Sequence, residues 1–238
     1  MPFNDYRDSF DPETLVPLVQ TYLGNLPSSG RVESWRDVRQ DPPAGIVEVT
    51  VHKGLDERAR TRIEFTGAFS PTLQSEVTLD VLENLLDIRV IDELRQKLGA
   101  TYSPQAATRW EMLPEPTYRA VIDFVSDPKR VEELSQAAFT LLDDLRTNGP
   151  TEADLLVAKE QARLARQKAL EDNSFWLGQL QDHLTTPGDD GSDILKYDQA
   201  LAGLTAKDLQ QAVQTYMPAD RYVKVVLYPE KFDEKANK

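Results

Sequence analysis

The sequence predicts an α+β domain: an antiparallel-rich sheet with helices packed on one face. Three observations carry this. Stretches with strand-like composition stand at both ends of the chain, at 45–54, 60–69 and 221–229, while helical periodicity dominates the middle. The order of elements (strands, helix, strands, several helices, strand) suits one sheet covered on one side. Finally, eleven of the 24 residues from Ser75 to Leu98 are large and apolar, more than a single stripe needs, so this helix is expected to be enclosed on most sides. Ser75, Glu76 and Asp80 place a capping hydroxyl and acid at its start, Arg95 and Lys97 place cations near its end, and Gly99 stops it.

Taken in order, Asp11, Pro12 and Glu13 read as an N-cap, a proline at the first helical position and an early acid. Leu15, Leu18, Val19, Tyr22 and Leu23 then recur at helical spacing up to Gly24. Residues 25–44 are rich in turn formers and poor in periodicity, so they predict a linker, and residues 1–24 an appendage outside the module that spans 45–230. Segment 45–54 alternates, with Val47, Val49 and Val51 on one face and His52 on the other. Segment 60–69 is β-rich, and the turn between predicts a hairpin of the two. A second hairpin, 103–112 with 118–125, is joined by residues 113–117, whose two prolines forbid a continued ladder. Asp127-Pro128 opens an amphipathic helix closed by Asn148-Gly149, and Thr151 with Asp154 starts a longer, more polar one to about Asp172. Phe175, Trp176, Leu177, Leu180 and Leu184 imply a further helix, with the aromatic pair in the core. Residues 185–193 form a loop, 194–202 are helical, Thr205 with Asp208 caps a helix to Tyr216, and 221–229 alternate as a final strand. Residues 231–238 are a charged tail.

A chain of 238 residues with 40 % hydrophobic content can bury a sizeable core. Its net charge of −13 argues against a nucleic-acid or anionic-membrane partner, which the average surface field would repel. With no cysteine there is no disulfide, thiolate metal site or cysteine nucleophile. No run approaches a membrane span and the N-terminus lacks an apolar signal core, so the sequence carries no address; a soluble chain is expected, with periplasm and cytoplasm both open.

The residues that could do chemistry are few. His52 and His183 lie far apart, and neither has a second histidine at helical ligand spacing, so no metal ligand set and no catalytic residue is expected in this chain. Asp143 and Asp144 lie away from the apolar face of their helix and read as solvated. Attention falls instead on the tight helix-to-strand junction after Gly99, flanked by Arg95 and Tyr102. By spacing alone Arg95 could simply oppose the helix dipole and pair with Asp92, and Tyr102 could be a sheet aromatic. Trp110 is a core or interface candidate.

The segment VIDELRQKLGATYSP, with Arg95 and Tyr102 seven apart around Leu98-Gly99, resembles the Arg-Glu-x-x-Gly-x-x-Tyr-Ser signature in the C-terminal modules of the insulinase/pitrilysin (inverzincin) peptidase family. Residues 9–29 resemble the closing helix of a preceding module, and the segments from 148 and from 197 resemble the module's later helices and last strand. Before Phe10 the family's strand ending is replaced by MPFNDYRDSFD. The resemblance implies a two-half enzyme that closes over extended peptides. Zinc is held by a His-x-x-Glu-His partner module, on the same polypeptide or a separate subunit. This chain would be the zinc-free, substrate-enclosing half, inactive alone, contributing Arg95 and Tyr102 to the peptide. Two alternatives stand beside it: an inactive scaffold or processing subunit of the same fold, and an unrelated acidic α+β binding domain.

Overall fold

In the computed structural model the described residues are 11–27, 30–31, 36, 38, 42–99, 101, 104–185 and 191–232, with the side chains of 97, 184 and 185 excluded. The chain divides into two compact units, Met1–Gln40 and Asp41–Lys238. In the first, α1 (Pro12–Val19) is capped by the Asp11 carboxylate, which accepts from the Glu13 amide at 3.0 Å, and a π-helical turn, Gln20–Gly24, continues it. Its apolar side chains, Leu15, Leu18, Val19, Tyr22 and Leu23, are all exposed.

The second unit is built on a five-stranded sheet of β1 (Ile46–His52), β2 (Ala59–Ala68), β3 (Gln105–Glu111), β4 (Thr117–Ser126) and β5 (Tyr222–Tyr228). The spatial order is β1-β5-β2-β4-β3; every pairing is antiparallel except β1 with β5. The predicted hairpin of 45–54 with 60–69 does not form, because β5 inserts between the two strands. The reason lies in composition: six of the seven β5 residues are Val, Leu or Tyr, spread over both faces, and such a two-sided strand belongs in the sheet interior. The hairpin of β3 and β4 forms as expected, from Gln105 opposite Asp123 to Glu111 opposite Thr117.

Helices cover one face of this sheet. The buried residues there are Ile63 and Phe65 of β2, Ala106 of β3, and Ala120, Ile122 and Phe124 of β4. The other face carries Arg60, Arg62, Glu64 and Arg119 around a buried Asp123, whose carboxylate accepts from Arg60 at 3.0 Å. By register Val47, Val49 and Val51 also point to this helix-free face, where Val49 and Val51 stay exposed.

The central helix, α2 (Leu73–Val90), starts two residues earlier than the apolar run indicates. Thr72 is its N-cap and Ser75 its reciprocal partner in a capping box. Val77, Leu79, Val81, Leu82, Leu85, Leu86 and Val90 are all buried, so the helix is enclosed as its composition demands. Around it pack α3 (Val131–Asn148), α4 (Glu152–Ala169), α6 (Tyr197–Gly203) and α7 (Ala206–Tyr216), while α5 (Asn173–Thr185) follows α4. Capping boxes at Thr151/Asp154 and Thr205/Asp208 open α4 and α7 as predicted. Phe175 and Trp176 are not core residues. They lie half-buried on α5, where the Trp176 indole donates to the Leu170 carbonyl at 2.9 Å and Phe175 faces Arg166. Trp110 does reach the core edge, stacked on Phe69 at 5.4 Å.

Helix α2 also closes one edge of the sheet. The outward amides of Ala106 and Thr108 on β3 donate to Asp87 at 3.1 Å and Glu83 at 2.6 Å. Carboxylates four apart on a helix rise about 6 Å, close to the advance of about 7 Å over two strand residues, so one helix face can serve alternate amides of an edge strand. Left without an acceptor, such a part-buried amide would cost about 1–3 kcal/mol. Among the described residues no helix is long and apolar enough to cross a membrane.

Candidate functional site

The junction that follows α2 is built from an unusual piece of backbone. Past Val90 the helix widens into a π-helical segment, Ile91–Lys97, a rare geometry found often at functional sites. Leu94 anchors it, fully buried, while the next side chain, Arg95, is exposed. The Arg95 guanidinium makes no ion pair with Asp92 or with any other described residue. Gly99 then turns the chain at φ 61°, a left-handed conformation that glycine adopts without Cβ strain, and its amide donates to the Arg95 carbonyl at 3.0 Å.

Two distant residues pin this turn. Arg130, from the short 3-10 turn Pro128–Arg130 before α3, donates through Nη1 to the Leu98 carbonyl at 3.2 Å, satisfying one of the carbonyls a helix end leaves open. Its other nitrogens grip Glu133 at 2.7 Å each, and those hydrogen bonds hold the Glu133 carboxyl below its ordinary range. Both side chains are substantially exposed, so the pair contributes geometry more than stability. Thr101 bridges to Ser126 at the end of β4, and its hydroxyl donates to the Val125 carbonyl at 2.6 Å. Arg95 is therefore presented to solvent from a backbone held on both sides. Tyr102 lies outside the described residues. Arg130 carries no motif and stands 35 positions from Arg95 in sequence, so only the fold brings it to the junction.

The two histidines lie on separate elements of the sheet unit. His52 is an exposed β1 residue stacked on Tyr228 at 5.5 Å, and His183 lies near the end of α5. Among the described residues no three His, Cys, Asp or Glu side chains are grouped so as to hold a metal ion.

Residues 9–162 match the family model described as the Peptidase M16 inactive domain. The chain belongs to the M16 peptidase family. That membership excludes the alternative of an unrelated binding domain. An Arabidopsis thaliana protein named as a PQQL-like zinc protease is 20 % identical over 94 % of this chain, which corresponds to 26 % of that protein. Among solved M16-like structures, the periplasmic protease PqqL from Escherichia coli superposes with a TM-score of 0.75 at 18 % identity, over 93 % of this chain and 24 % of its own. A protease from Helicobacter pylori gives a TM-score of 0.77 at 20 % identity, over 92 % of this chain and 53 % of its own. This chain thus spans about a quarter of the first two relatives and about half of the third. The M16 match runs from residue 9, ahead of α1, to residue 162 within α4.

Proposed function

We propose that this chain is the substrate-enclosing, non-catalytic half of a zinc-dependent endopeptidase, which closes over extended peptides together with a partner module bearing His-x-x-Glu-His. The observation that carries this reading is the match to the M16 inactive domain, combined with an exposed Arg95 side chain that pairs with no described residue, on a backbone pinned by Arg130 and Thr101. Arg95 and Tyr102 are the residues assigned to the peptide. The test is reconstitution. The chain alone should cleave no peptide, and adding the neighbouring module of its gene should produce cleavage that zinc chelation abolishes. If that module lacks His-x-x-Glu-His and the pair assembles without cleaving, the chain is a scaffold or processing subunit instead.

Residues 1–24 are, in the same reading, an appendage resembling the end of a preceding module, joined by the linker 25–44 to the module 45–230, with 231–238 as a charged tail. Support comes from the division of the chain after Gln40 and from the uniformly exposed apolar residues of α1, a helix too short to be stable unpacked. Removing residues 1–40 should leave a domain with a cooperative thermal transition. An unfolded product would mean that the helix is part of the module's own core.

A further inference from the structure

A small pocket between α2, α4 and α6, of about 290 Å³, is lined by Asp80, Glu83 and Asn84 of α2, by Arg166 and three alanines of α4, by Phe175 and by Tyr197. Positions i, i+3 and i+4 share a helix face, so the three α2 side chains line the pocket side by side. Each uses only part of its capacity. Asp80 accepts from the Tyr197 hydroxyl through Oδ2 at 3.0 Å, Glu83 accepts from Thr108 through Oε2, and Asn84 donates Nδ2 to the Ala158 carbonyl at 3.3 Å. Asp80 Oδ1, Glu83 Oε1 and Asn84 Oδ1 accept from no described residue.

The one cation bordering the pocket does not fill these acceptors. The Arg166 guanidinium lies between the Phe175 and Tyr197 rings, 4.6 and 4.8 Å from their centroids, and donates to the Ile194 carbonyl. Asp80 and Glu83 are like charges one turn apart. Although Asp80 is exposed, the protein packed around its carboxyl pushes its pKa up to about 6; the charge of Glu83 adds to this, against the Tyr197 hydrogen bond and the Arg166 charge. A ligand for this place must bring donors and positive charge, and it must be small. Ala162, Ala165 and the Phe175 ring offer apolar walls beside the oxygens.

We infer that this pocket binds a primary ammonium on an apolar stem, either a lysine side chain or the free amino terminus of a peptide. An ammonium has three N–H donors and no acceptor, which matches three acceptors without donors. The site is separate from the Arg95 junction and does not depend on the role proposed there.

The test is an NMR titration of the full chain with two probes, Nα-acetyl-lysine methylamide for the side-chain ammonium and alanyl-alanine amide for the terminal one, with the acetylated dipeptide as control. One or both amines should give saturable shifts at the Ala162, Ala165 and Ala169 amides, and the acetylated control none; which amine binds tells the two sources apart. Asp80→Asn and Glu83→Gln should each weaken binding about tenfold, as expected for a lost charge-assisted hydrogen bond. Both variants keep an oxygen for Tyr197 and Thr108, and unchanged spectra elsewhere verify the fold. Affinity should also fall as the pH drops below about 6, where Asp80 takes up its proton. Of the other groups facing that carboxyl, Glu83 shares its helix, while Tyr197, pushed up by burial, and Arg166 stay protonated throughout. No saturable shift with either amine, shifts mapping away from the pocket, or wild-type affinity in Asp80→Asn would overturn the assignment.

Discussion

In the reconstituted two-half enzyme, Arg95→Ala and Tyr102→Phe should each lower kcat by about 10²-fold or more while leaving fold and zinc content unchanged. The expectation rests on the chemistry of the two groups and on the backbone that carries the first. A guanidinium and a phenol are donors that can stabilise negative charge as it develops on a peptide carbonyl. Such donors act in the transition state only if they are held in place beforehand. The carbonyl of Leu98 is fixed by Arg130, Thr101 is tied to β4, and Arg95 stands between a buried Leu94 and the turn at Gly99. Because the Arg95 side chain is exposed and pairs with no described residue, Arg95→Ala should melt within about 0.5 kcal/mol of wild type, the usual range for such surface positions. A variant that retains near wild-type turnover would remove Arg95 from the site, and a large loss of stability would reassign it to the scaffold.

Leu85→Ala should lower stability by about 2–5 kcal/mol, since truncating a fully buried leucine loses both its transfer free energy and its packing contacts. Leu85 has no exposed surface and sits mid-way along α2, in the core cluster shared with the sheet and the surrounding helices. For a unit of this size the fall in Tm should be about 4–20 °C, measured by circular dichroism on the full chain. A change below about 2 °C would mean that α2 is not the enclosed centre its burial describes.

What the sequence disclosed and what it hid follow from the range of the interactions involved. Helix α2 was legible because its apolar surplus has no other resolution than enclosure, and α4 and α7 because Thr151/Asp154 and Thr205/Asp208 are local capping pairs. The turn at Gly99 was likewise legible, because a glycine after a helix carries its meaning in itself. The hairpin of β1 with β2 was misread because a short connection favours a local partner, whereas β5 arrives from more than 150 residues away and its claim on both strands is invisible locally. The Thr72 cap is hidden because it lies ahead of the apolar run, where hydrophobic period carries no mark. At the junction, Arg95 is singled out by a motif alone. The widening into π-helical geometry leaves no mark in hydrophobic period, and the hold of Arg130 on Leu98 is a tertiary contact with no spacing signal. The same holds for the pocket, where Tyr197 lies 117 positions from the Asp80 it binds.

The closed edge of β3 has a consequence for how copies of this chain could associate. Pairing of exposed strands propagates only when each added sheet offers a second free edge to the next, which is how an edge becomes a template for fibres. Here the amides of Ala106 and Thr108 are already taken by Asp87 and Glu83, while no described strand pairs with the outer edge of β1. A sheet with one shut side and one open side can join a second copy through β1 against β1, and the joined pair then presents only shut sides. Growth by strand addition through β1 would therefore stop at two, with Asp87 and Glu83 covering the far edge.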